Sequence, residues 1–128
     1  MEANKITAMI VDSCIKIHTA IGPGCYERVY EELLYYELNK LGLNVRRQIT
    51  MPISYEVLQI NDAYKLDLLI EEKVIIEIKS IEHILPVHFK QLNTYLKLMN
   101  LKHGILLNFK VDLMKNGIHR VFNNFGNE

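Results

Sequence analysis

The chain has no net charge, only two cysteines and no apolar run long enough to span a bilayer. Each shortage excludes something. Fifteen Lys and Arg against fifteen Asp and Glu leave no generic surface for a polyanion. Cys14 and Cys25 lie in helical or helix-flanking sequence and lack metal-type spacing, so a reduced, cytoplasmic setting is the default. The opening Met1–Thr7 has neither the basic region nor the unbroken apolar core of a secretory signal. There is no low-complexity tract, internal repeat or linker. What remains is 128 residues, 49% hydrophobic and 23% charged, expected to form one domain over 1–128 with a real core.

The charges are unevenly placed. Residues 1–78 carry 8 Lys/Arg and 12 Asp/Glu, whereas residues 79–127 carry 7 Lys/Arg against Glu82 and Asp112 alone. An acidic half followed by a basic half suits a metal-plus-phosphate site. For most of these lysines, solvated helix and loop positions are the better account.

Periodicity supplies the elements. Ile6, Met9, Ile10, Ser13, Ile17 and Ala20 recur at helical spacing, which predicts a helix from about Asn4, as N-cap, to Ile21. Gly22-Pro23-Gly24 breaks it. A second helix runs from Tyr26 to Leu41, with Val29, Tyr30, Leu33, Leu34, Glu37 and Leu41 around its core face and Gly42 as a left-handed stop. Asn44–Tyr55 reads as a strand, and Pro52 marks it as an edge or a bulge. A turn near Asn61-Asp62 leads into two apolar strands joined at Glu71-Glu72-Lys73. Val87–Met99 is a third helix, with Phe89, Leu92, Leu96 and Met99 inward. Gly104–Phe109 and Gly117–Phe122 close the chain as strands. The order ααβββαββ predicts an α/β (α+β) mixed sheet flanked by helices.

The run from Tyr64 to Lys79 stands out. Three ionisable residues, Asp67, Glu77 and Lys79, interrupt what is otherwise core. Alternation puts Glu77 and Lys79 on one face and Val74, Ile76 and Ile78 on the other. A turn at 71–73 sets Asp67 opposite Glu77. Two carboxylates and an ammonium then converge on a largely buried hairpin, at a cost unless they pair or bind a metal.

A wider pattern carries a resemblance. Gly24-Cys-Tyr-Glu27-Arg-Val-Tyr30 reads G-x-x-E-x-x-Y, and Asp67, Glu77-x-Lys79 and Gln91-Leu-Asn-Thr-Tyr95 follow it. Over residues 22–123 the chain resembles the GxxExxY family, a branch of the PD-(D/E)XK nuclease superfamily. That resemblance implies a restriction-endonuclease-like sheet and hydrolysis of nucleic acid phosphodiesters, DNA before RNA, with Mg²⁺ or Mn²⁺, which take oxygen ligands. It implies Asp67 and Glu77 as metal ligands with the Ile78 carbonyl, and Lys79 as the residue that positions or deprotonates water. Glu27 supplements the metal through water, although Glu31 shares its helical face. Gln91 hydrogen-bonds near the phosphate, since an amide donates and accepts without adding charge.

The other polar residues have plainer readings. Tyr30 is a core ring with a tethered hydroxyl, and Tyr95 packs. His83 and His88 are loop or helix-end positions, and Cys25 is a small packing residue. A lone domain offers little surface to a duplex, so the nuclease reading carries a homodimer with it. The alternative is a catalytically inactive protein of this fold that binds nucleic acid or protein, to which the neutral charge is suited. A third reading is a phosphoester hydrolase acting on a small molecule.

Overall fold

The computed structural model describes residues 1–123. Two helices, three strands, a helix and two strands follow in the expected order: α1 (Ala3–Ile21), α2 (Glu27–Lys40), β1 (Val45–Tyr55), β2 (Leu58–Ile70), β3 (Val74–Lys79), α3 (Pro86–Met99), β4 (His103–Asn108) and β5 (Ile118–Phe122). The strands form a single sheet in sequence order. Among the described residues only β3 and β4 run parallel, because α3 carries the chain back between them; the other pairs are antiparallel. This mixed α+β sheet is consistent with the restriction-endonuclease-like fold.

α1 buries Ile6, Ile10, Ser13, Cys14 and Ile17, a stripe at three- and four-residue steps, while Ala20 faces solvent. Asn4 is not its cap. Glu2 holds that position with extended backbone, and the Asn4 side-chain oxygen accepts from Arg120 at 3.0 Å instead. A tertiary donor has claimed the expected capping group. α2 starts at Glu27, with Tyr26 as its N-cap, and buries Tyr30, Leu34 and Leu38; Leu41 stays exposed. Gly42, at φ +86°, supplies the left-handed exit. α3 begins on Pro86, where a missing N–H costs nothing.

The sheet carries apolar packing on both faces. Leu68, Ile70, Val74, Ile76 and Ile78 pack with α1 and α2, together with Phe109. Leu69, Ile75 and Leu106 pack with Leu92 and Leu96 of α3. The alternation expected around Glu77 therefore holds on β3.

The expected turn at Asn61-Asp62 is a correction. The chain turns at Glu56 and Val57, and both Asn61 and Asp62 lie within β2. Asp62 takes φ +54° near the register shift between Met51 and Ile53, so its turn chemistry serves an irregularity inside a strand. Pro52 sits at that shift on the edge strand, as expected. The last strand starts one residue later than its sequence suggests. Gly117 ends a short 3₁₀ turn, Met114–Gly117, where any Cβ would collide with the Asn108 carbonyl. No helix among the described residues is long and apolar enough to cross a membrane.

Candidate active site

The β2–β3 hairpin assembles the charged group. Leu68, Leu69 and Ile70 face Ile76, Ile75 and Val74 across a turn at 71–73. One further step in that register sets Asp67 opposite Glu77, and two hydrogen bonds hold it there. The Ile78 N–H donates to Asp67 Oδ2 at 2.8 Å, and the Asp67 N–H donates to Glu77 Oε2 at 3.3 Å.

Burial sets the electrostatics. Glu77 is 5% exposed, and desolvation, then the charge of Asp67, pushes its carboxyl up to about 8. Burial also raises Asp67, against the Ile78 N–H and the charge of Lys79, which pull it down. Lys79 is half-buried and lowers both carboxyls through space, yet forms no direct ion pair among the described residues.

Asp67 reaches solvent through a break in the sheet. Leu68 packs on the α1/α2 side, whereas Leu66, of the same parity, packs on the α3 side. Val45 and Ile49 of β1 divide in the same way. The change of face falls where Gln48 and Asp67 stand opposite, between the pairs Arg47–Leu68 and Ile49–Leu66. Gln48 has φ +52°, a left-handed backbone that re-aims the strand.

The break opens a cavity of about 500 Å³ whose wall includes Glu27, Arg28, Glu31, Gln48, Asp67 and Ile78. Gln48 Nε2 donates to Glu31 Oε1, and its side chain also helps to lower Asp67. Burial raises the Glu31 carboxyl. Glu27 is exposed and accepts the Ser80 N–H at 3.1 Å. Both helical glutamates therefore line the cavity. Arg47 lines it too, paired with Glu32. Gln48 and Arg47 had no signal in the sequence, because nothing in a glutamine announces a positive φ.

α3 contributes differently from the expectation. Gln91 is exposed and, among the described residues, makes no hydrogen bond to the carboxylates. Tyr95 stacks on Tyr64 at 4.9 Å, and its hydroxyl is raised by burial and then by the charges of Glu77 and Asp67. The tyrosine, more than the glutamine, feels the site. His88 sits at the start of α3, where its Nδ1 accepts the Leu85 N–H, and His83 is exposed.

The motif around Glu27 has a structural logic. The Tyr30 ring stacks on Phe109 at 4.2 Å, and its hydroxyl donates to the Gly22 carbonyl at 2.5 Å while accepting the Cys25 N–H at 3.1 Å. Ser80 Oγ donates to the Cys25 carbonyl at 2.9 Å. The loop that delivers Glu27 is thus tied to the core and to the end of β3.

Residues 4–121 match the family described as the PD-(D/E)XK nuclease superfamily. The chain belongs to that superfamily. A search of curated proteins returned no match. Glu77-Ile78-Lys79 has the form E-x-K, and Asp67 is preceded by Leu66. The superfamily typically uses divalent metals, and its nuclease character implies a phosphodiester in nucleic acid. The donors here fit a hard cation: a buried and a half-buried carboxylate, each raised by burial, gain from a positive charge beside them. Among the described residues, no three His, Cys, Asp or Glu side chains cluster to hold a metal ion. Glu27 is bonded to Ser80 and Asp67 to Ile78.

Proposed function

We propose that this protein is a Mg²⁺- or Mn²⁺-dependent nuclease of the GxxExxY branch, a single domain over 1–128 that hydrolyses phosphodiester bonds of DNA, or of RNA as a second substrate. Residues 124–128 of that domain lie outside the described residues. The observation that carries the reading is the Asp67–Glu77 pair, side by side with Glu77 buried and Asp67 half-buried, both carboxyls raised and Lys79 on the next strand position of the same face. Without a cation this arrangement is costly.

Asp67, Glu77 and the Ile78 carbonyl would hold the ion, with Glu27 or Glu31 joining through water. When bound, the ion polarises the phosphoryl oxygen and acidifies water. Lys79 orients the attacking water and offsets the charge that develops on the phosphate. Gln91 takes the phosphate contact from α3. The protein acts as a homodimer, so that two sites meet two strands, as at a branched junction.

A second reading has its own support. Each of the two carboxylates already accepts a backbone N–H, and among the described residues no third ligand joins them. That state suits a non-catalytic domain that binds nucleic acid or protein.

Calorimetry with Mg²⁺ and Mn²⁺ separates the two. The nuclease reading expects binding that Asp67→Ala and Glu77→Ala abolish with the fold intact by circular dichroism, and cleavage that Lys79→Ala alone reduces by a factor of about 10² or more. Wild-type protein that takes up no metal, with or without nucleic acid, leaves the binding module.

A further inference from the structure

We infer that the cavity on the far side of Glu27 receives the phosphate next to the scissile one, and that Tyr26 stacks on an unpaired base of the same DNA strand. The inference rests on the nuclease reading and specifies its substrate as single-stranded or frayed.

A second cavity, of about 610 Å³, adjoins the first, and Tyr26, Glu27, Arg28, Ser80 and Lys110 belong to its lining. Glu27 and Arg28 line both cavities, so they form the shared wall. A strand whose scissile phosphate lies over Asp67 crosses this wall to place its neighbour beside Arg28 and Lys110.

Four cations elsewhere are neutralised by carboxylates. Lys16 and Lys40 pair with Glu37, Arg46 with Glu72, and Arg47 with Glu32. Arg28 and Lys110 form no ion pair among the described residues. Among the described residues, Glu27 is the one carboxylate in the lining of this cavity, and its Oε2 already accepts the Ser80 N–H. Two unspent cations at a cavity next to the carboxylates match the charge of a polynucleotide backbone.

Tyr26 supplies the base contact. It is 83% exposed at the cavity's edge, and among the described residues its side chain has no ring partner or hydrogen bond. Its backbone is anchored, because the preceding loop is tied through Tyr30 and Ser80. A bare aromatic ring on an anchored backbone beside cations is a stacking platform that accepts any base. Bases inside a duplex are already stacked, so only an unpaired strand can use it.

Fluorescence anisotropy with a labelled oligo-dT, in Ca²⁺ to hold the complex before cleavage, tests the path. Tyr26→Ala is expected to weaken binding about tenfold, with Tyr26→Phe close to wild type. Lys110→Ala is expected to weaken it by a similar factor and to flatten the salt dependence by about 0.7 in log–log slope. Wild-type protein that binds and cuts DNA, with Tyr26→Ala and Lys110→Ala unchanged or with blunt duplex preferred over single strand, overturns the path and leaves the nuclease reading standing. Wild-type protein that neither binds nor cuts DNA or RNA overturns both.

Discussion

The two ends of the β1–β2 ribbon break opposite rules. At the inner end, Leu66, Leu68, Leu69 and Ile70 are buried, and Asp67 is half-buried among them facing Glu77. At the outer end, Tyr55, Val57, Leu58 and Ile60 are exposed. One end puts charge into the core and the other puts apolar side chains into water. The costs are unequal. An exposed leucine merely forgoes burial, whereas a buried carboxylate without a counter-charge loses its hydration. The inner end is therefore where structure points to chemistry.

Four measurements sharpen or break that contrast. The largest effect is expected from Leu68→Ala, which empties part of the α1/α2 cluster and should cost about 2–5 kcal/mol in denaturant unfolding. A loss below 1 kcal/mol would mean that this end of the ribbon is not core.

Next comes the pH dependence of Glu77. Its folded carboxyl lies at about 8 against an ordinary 4.5, so between those values the folded state binds a proton that the unfolded state has released. The stability this contributes is fully present below about 4.5 and lost as pH rises through 8. Thermal melts should show metal-free wild type falling by several degrees from pH 5 to pH 9. Glu77→Gln should be flatter and more stable at pH 9, and Mg²⁺ should restore the wild type there. A wild type as flat as Glu77→Gln would contradict the buried-charge account.

Smaller still is Tyr30→Phe, which keeps the stack on Phe109 but releases Gly22 and Cys25. It should cost about 1 kcal/mol and speed amide exchange in residues 22–26. Unchanged exchange would show that the loop is held by other contacts. The smallest effect belongs to Leu58→Ala at the exposed end, expected within about 0.5 kcal/mol of wild type. A larger loss would reveal that a partner covers the outer ribbon.

Much of the fold was legible. Helical stripes such as Ile6, Ile10 and Ile17, the turn at 71–73 and the stop at Gly42 all follow from short-range periodicity and backbone sterics. The pairing of Asp67 with Glu77 was legible for the same reason, since a three-residue turn sets the register of the residues beyond it. Asn4 and Asp62 misled because each side chain serves a feature that local sequence does not contain: a distant arginine for one and a strand irregularity for the other. Gln91 and Tyr95 share a helical face, yet only tertiary packing decides how far along that face the carboxylates reach.

The sequence by itself determined the order of elements, the hairpin register and the acid pair, because each depends on residues within a turn or two of one another. Only the tertiary structure decided that Gln48 turns left-handed and changes the sheet's face. It also decided that Glu27 and Glu31 line the cavity with Asp67, and that Lys110 joins Tyr26 and Arg28 beside it. Those residues lie far apart along the chain, and what brings them together is the burial of apolar side chains elsewhere, a cooperative sum that no local pattern records.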